Sequence, residues 1–359
     1  MTVNETLGAW SELFMLLAAM TYLVAFVAFA WDVASHSKTL RGAEGSGERE
    51  LVGAAAGASA ATSGDAAEPA DSRAGHGAGH RGRGYRTSAR SALSGHVADE
   101  EMRYTGERRP AARVAVAVMV LGFAVHAAAV LSRAFAAGRV PWGNMYEFCT
   151  TGAFLVAVIF LITLTRKDLR FVGSFVVGLV VIMLCAATVG FPTPVARLIP
   201  ALQSYWLIVH VSIAVASSAL FTLTFAMSVL QLLQTSREAK LLAGKADTAK
   251  FLRLVPSALS LENLSYRLNA IAFVGWTFTL IAGAIWAELA WGRYWGWDVK
   301  EVWTFVIWTV YAGYLHARAT RGWTGTRAAW LSIIGYLCIV FNFTIVNIYF
   351  SGLHSYSGV

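Results

Sequence analysis

Long uncharged apolar runs, repeated along the chain, limit what this sequence can fold into more than any other feature. A run of about 20 such residues matches the hydrocarbon core of a bilayer, and only a helix satisfies its backbone there. Eight candidate helices fit that description, at about 10–31, 112–135, 146–165, 170–190, 203–235, 264–287, 302–319 and 328–352. The seventh is the weakest, because only the stretch 302–317 separates Glu301 from Arg318. With 57% hydrophobic and 14% charged residues, the chain reads as an all-α polytopic membrane protein with about eight transmembrane helices. The first run follows an acidic start without a basic n-region or a small-residue cleavage site, so it is expected to stay as an anchor.

Charge sets the orientation. Alternating the spans puts 24 of the 29 Lys and Arg residues on one side and five, Arg133, Arg139, Arg197, Arg293 and Lys300, on the other. The positive-inside bias makes the first set cytoplasmic, which places both termini outside the plasma membrane. The net charge of +8 is thus a topology signal; the basic residues do not gather into a patch, and no nucleic-acid partner is expected. Three cysteines, Cys149, Cys185 and Cys338, form no C-x-x-C pair and read as small buried apolar residues.

Residues 1–41 form an N-terminal anchor. Residues 42–110, poor in aromatic and β-branched side chains, read as a disordered cytoplasmic linker in which His76, His80 and His96 are solvated. Residues 111–359 form a seven-helix bundle, with 237–262 expected as an amphipathic surface segment.

Chemistry concentrates in 286–303, W-A-E-L-A-W-G-R-Y-W-G-W-D-V-K-E-V-W, an outer loop and its flanks holding five of the thirteen tryptophans. An aromatic belt scatters its rings over many helices and does not explain such a cluster. Asp298 and Glu301 have the spacing of a capping box; direct contact with a ligand is the alternative for the pair. Lys300 and Arg293 are placed to meet ligand carboxylates or lipid headgroups. His210 lies about 9 Å inside the outer end of its helix, and His354 follows the last helix on the same face. Two imidazoles flanking an aromatic bed suit a haem iron gripped from both sides, although a single interfacial histidine needs no ligand. His316 lies about 22 Å deeper than Glu301, and His126 sits at a different depth, about 10 Å below Arg133.

The segment W-G-R-Y-W-G-W-D-V-K-E-V-W resembles the WWD signature of haem-handling proteins in cytochrome c biogenesis. S-Y-W-L-I-V-H-V-S, G-Y-L-H-A-R and S-G-L-H-S-Y resemble the three histidine motifs of the CcsA/ResC branch, the actinobacterial CcsB, over about 110–359. The resemblance implies a System II cytochrome c synthase subunit that binds haem b as substrate. It implies His210 and His354 as axial ligands of an outer haem and His316 as an axial ligand within the membrane. The second ligand of that inner haem would come from a ResB/CcsB-like partner. Trp286, Trp291, Trp295, Trp297, Asp298 and Trp303 would contact the outer haem. Apocytochrome c would bring C-x-x-C-H, kept reduced by a thiol-reducing pathway, and its thiols would add to the vinyl groups. Val299 stands where the family has proline, which implies a looser turn. The alternative is a CcmC-like carrier that hands haem to a chaperone without attaching it.

Overall fold

The computed structural model describes residues 3–61, 99–104, 109–198, 202–320 and 322–354, with 36–61 and 250 as backbone only. Its regular elements, among these residues, are all helical. The α-helices are α1 (Glu5–Ala61), α2 (Pro110–Ala137), α3 (Met145–Leu164), α4 (Gly173–Cys185), α5 (Tyr205–Leu242), α6 (Ala258–Trp291), α7 (Val299–Thr320), α8 (Thr326–Phe343) and α9 (Ile345–Tyr349). A 3₁₀ turn, Arg170–Val172, leads into α4 and a π-helical turn, Ala186–Gly190, follows it. The starts are chemically specified. Pro110 takes the first helical position of α2, and Asn144, Ser204 and Ser257 cap α3, α5 and α6 through their side-chain oxygens.

Seven segments are long and apolar enough to cross a membrane: Glu5–Ser35, Pro110–Ala137, Met145–Leu164, Arg170–Gly190, Tyr205–Leu242, Ala258–Trp291 and Thr326–Tyr349. The chain is a multi-pass membrane protein, with side chains such as Leu16, Val120, Ile162, Ile182 and Phe278 turned outward as a bilayer requires. The predicted seventh helix exists as α7 but is not among those seven, because Lys300, Glu301, His316 and Arg318 dilute its apolar run. Its 22 residues nonetheless reach about 33 Å. At one end Asp298, just before α7, meets His354; at the other Arg318 pairs with Glu262 and bonds Asn263 near the start of α6. α7 therefore runs the length of α6 in the opposite direction. Asn4 bonds the carbonyl of Ala136 at 3.0 Å, so the first described residues lie at the end of the bundle where α2 finishes.

Two buried clusters organise the bundle. Met15, Tyr22 and Phe29 of α1 pack with Met119, Phe160 and Val176 of α2, α3 and α4, so α1 shares its core with those helices. Phe221, Trp276, Tyr311 and Tyr336 join α5, α6, α7 and α8, with the Phe221 and Tyr311 rings stacked at 3.8 Å. Interhelical hydrogen bonds replace water inside: Thr224 donates to Asn269 at 2.6 Å, and Asn269 donates to Ser332 at 3.1 Å.

Some boundaries differ from the sequence expectation. α1 continues over 42–61, where alanines favour the helix; the rest of the expected linker, 62–98 with His76, His80 and His96, lies outside the described residues, as does 105–108. The segment 237–262 is not surface-lying. α5 and α6 both extend into it, and the turn between them buries Leu252, Leu254 and Val255. Gln234 donates to three carbonyls there, and Asp247 takes Arg237 and Arg253 at 2.8 Å each. Among the cysteines, Cys185 is exposed while Cys149 and Cys338 are partly buried.

Candidate functional site

The end of the bundle that carries Trp286 and His354 is braced by a buried ion cluster. Arg133 (1% exposed) donates to Glu147 (0%) at 3.0 Å, and Arg139 approaches the same carboxylate at 2.7 Å. Gly143 N is a third donor to Glu147, at 2.7 Å, while Arg133 also donates to the Thr193 carbonyl at 2.8 Å. One carboxylate thus ties together the C-terminal turn of α2, the 138–144 loop and the strap that follows the π-helical turn.

Beside this brace lies a cavity of about 830 Å³, its open mouth included. His210 on α5, Trp286 on α6, Lys300 on α7 and His354 after α9 all line it. Four segments remote in sequence converge there.

Each imidazole is held by one nitrogen. His210 Nδ1 lies 2.9 Å from the Thr279 carbonyl, and His354 Nδ1 lies 2.6 Å from Asp298 Oδ2. A carbonyl oxygen can only accept, so His210 carries its proton on Nδ1 and keeps its Nε2 lone pair free; the Asp298 bond places a proton on Nδ1 of His354. A ring fixed through Nδ1–H by an oxygen, with Nε2 left for an ion, is the usual condition of a metal-bound histidine. Trp286 lies against both rings, stacked with His210 at 6.0 Å and edge-on to His354 at 5.7 Å. Trp291 meets His354 edge-on at 5.0 Å.

Two glycines make this packing possible. A Cβ on Gly283 would stand 2.7 Å from His210 Cε1, and one on Gly352 would run into the Asp298 carboxylate. The expected capping box forms in part: Glu301 accepts from Asp298 N at 3.1 Å and Gly296 N at 2.8 Å. The Asp298 side chain accepts from the backbone of Lys300, as a cap does, and also holds the tail, accepting from Leu353 N at 3.1 Å and from His354. Burial works to raise the Asp298 carboxyl, but the hydrogen bond and charge of His354 outweigh it and hold the group below its ordinary range.

The other sequence candidates lie elsewhere. Trp295 and Trp297 face each other at 5.9 Å outside the cavity, with Trp297 78% exposed. Its φ of 58° is a strained setting for a bulky residue. Trp303 turns to Phe341 on α8 at 4.3 Å. His316 is exposed on the flank of α7, and His126 is fully buried between Tyr22 and Phe154; neither lines the cavity. Sequence reasoning missed the Thr279 carbonyl, Asn342 and Asn347, which carry no motif. For Glu147 the sequence leaves open a cap of α3 or a place facing the site; the structure puts it in the brace with Arg133 and Arg139.

Among the described residues no three His, Cys, Asp or Glu side chains gather around a possible ion site.

These features define a multi-pass membrane protein with two Nδ1-anchored imidazoles and two indoles gathered at one end of its bundle. The Cytochrome C assembly protein model matches residues 142–354, from the loop before α3 to His354, and the chain belongs to that family. A cytochrome c biogenesis protein CcsA of Heterosigma akashiwo is 35% identical over 246 residues, 60% of this chain and 76% of its own. The protein of the same name from Prochlorococcus marinus strain MIT 9313 is 34% identical over 68% of this chain and 84% of its own. That of Porphyra purpurea is 32% identical over 63% of this chain and 81% of its own.

Proposed function

We propose that this protein is the haem-handling subunit of a System II cytochrome c synthase, which presents haem b at the outer face of the plasma membrane for attachment to apocytochrome c. The observation that carries the reading is the pair of Nδ1-anchored imidazoles on one cavity wall system. Haem is the substrate here. His210 and His354 would take its two axial positions, Trp286 and Trp291 would pack beside it, and Asp298 would fix the His354 ring. The apocytochrome C-x-x-C-H thiols then add across the vinyl double bonds, sulfur to one carbon and hydrogen to the other. No oxidant is consumed, provided a thiol-reducing pathway has kept the cysteines reduced. Acceleration comes from holding the reacting groups together, since no side-chain nucleophile is required.

His316 faces outward from α7, which suits an inner haem shared with a ResB/CcsB-like subunit in the bilayer. With α7 counted as the eighth crossing, both chain ends lie outside, and α1 anchors the chain as part of the same bundle as 111–359, which leaves a linker only beyond Ala61. Co-expression with the ResB-like partner and a c-type cytochrome reporter tests the reading. Covalent haem on the reporter is expected; haem delivered to a chaperone with no covalent product would assign the chain to the CcmC-like carriers instead.

A further inference from the structure

The cavity has one polar corner. Lys300, Thr304, Asn342 and Asn347 supply it from α7, α8 and α9, while much of the remaining lining is apolar. The Lys300 ammonium reaches the Asn347 amide oxygen and lies 5.3 Å from the Phe343 ring centre, both uncharged neighbours. No ion pair among the described residues includes Lys300. Asp298, two residues away, acts on the ammonium only through its charge, because its carboxylate bonds His354, Leu353 N and the Lys300 backbone. Asn342 is 1% exposed; its Nδ2 donates to Thr304 Oγ1 at 3.3 Å, and its Oδ1 has no partner. An ammonium in a largely apolar cavity without a carboxylate is costly, and so is a buried amide oxygen left unbonded. Both costs fall when an oxyacid enters the corner. The ammonium donates to it, and the Asn342 amide, turned end for end, presents its NH₂ group while its oxygen accepts from the Thr304 hydroxyl, which turns from the Lys300 carbonyl.

We propose that Lys300, with Asn342 and Asn347, binds a propionate carboxylate of the porphyrin and so fixes which edge of the macrocycle enters the cavity first. The inference rests on the haem reading above. The two propionates of haem b share one edge, so seating that edge against Lys300 turns the vinyl-bearing part away, toward an incoming thiol pair. Lys300 is thereby a positioning residue: it touches the substrate but takes no part in making the thioether bonds. Arg293 does not line the cavity, and its guanidinium lies against Gly296.

The experiment titrates the purified full chain, with its partner where needed, with haem and with haem dimethyl ester, following the bis-imidazole absorption bands. Wild type is expected to hold haem at least about tenfold tighter than the ester, as a charge-assisted hydrogen bond implies. Lys300→Met should remove that preference by weakening haem alone, and Lys300→Arg should restore part of it. Equal affinity of wild type for acid and ester, or a Lys300→Met variant that weakens both alike, overturns the proposal. If neither ligand gives a bis-imidazole spectrum with wild type, the haem-site reading fails, and this inference with it.

Discussion

Changing Asp298 to asparagine isolates what one second-layer contact contributes to the site. The amide has nearly the same shape and still accepts from Leu353 N, so the tail should stay in place. What changes is the 2.6 Å contact with His354 Nδ1: with its one oxygen on Leu353 N, asparagine turns an NH₂ donor toward that nitrogen, which removes the bond and favours the tautomer that carries the proton on Nε2. A hydrogen bond to a charged group contributes about 1.5–3 kcal/mol, roughly twice a neutral one. Losing that bond, and with it the tautomer that leaves Nε2 open, lowers haem affinity by about 10–100-fold or more, the usual range for outer partners of a ligating histidine. Equilibrium titration followed by visible absorption measures this. Asp298→Ala should lose more, because Leu353 N is also left without its acceptor. Full haem affinity in Asp298→Asn would refute the reasoning, since His354 would then be oriented by something other than the carboxylate.

Four further outcomes are expected. His210→Ala and His354→Ala should each abolish maturation of a cytochrome c reporter, with partial recovery on adding imidazole; wild-type maturation in either variant removes that residue from the ligand pair. Gly283→Ala should weaken haem binding and cost about 1–3 kcal/mol of stability, because the added methyl overlaps the His210 ring; unchanged melting and binding would contradict that overlap. Glu147→Gln leaves Arg133 buried beside a neutral amide and should destabilise the protein by about 3–5 kcal/mol in detergent melts; a change under about 1 kcal/mol would show the brace to be dispensable. Asp247, held by Arg237 and then Arg253, has its carboxyl lowered to about 2. A folded value below the unfolded one makes its contribution complete above about pH 4 and lost as pH falls toward 2. Asp247→Asn should therefore flatten the acid limb of stability against pH, and an identical limb would contradict the assignment.

The bilayer spans were legible because apolar length is a one-dimensional property, and the alternation of spans already gathered 210, 286–303 and 354 at one end. Azimuth was not legible. Tryptophans crowd into 286–303, but Trp286 and Trp291 reach the histidines from the last turns of α6, Trp295 and Trp297 sit on the loop outside, and Trp303 leans on α8. Lys300 and Thr304, one turn apart, face the cavity instead. The two roles open to Asp298 were a question about a tail 55 residues away, which no local pattern could answer. The Thr279 carbonyl is backbone and leaves no mark on composition. α7 illustrates the converse: its composition understates a helix whose ends are fixed by His354 at one side and Glu262 at the other.

The most direct test of the paired-imidazole site is low-temperature electron paramagnetic resonance of the ferric complex, for wild type and for His210→Ala and His354→Ala. Low-spin bis-histidine signals in wild type, converted to high-spin in each variant and returned to low-spin by free imidazole, are the predicted result. A low-spin signal that survives unaltered in either variant would place the iron somewhere else.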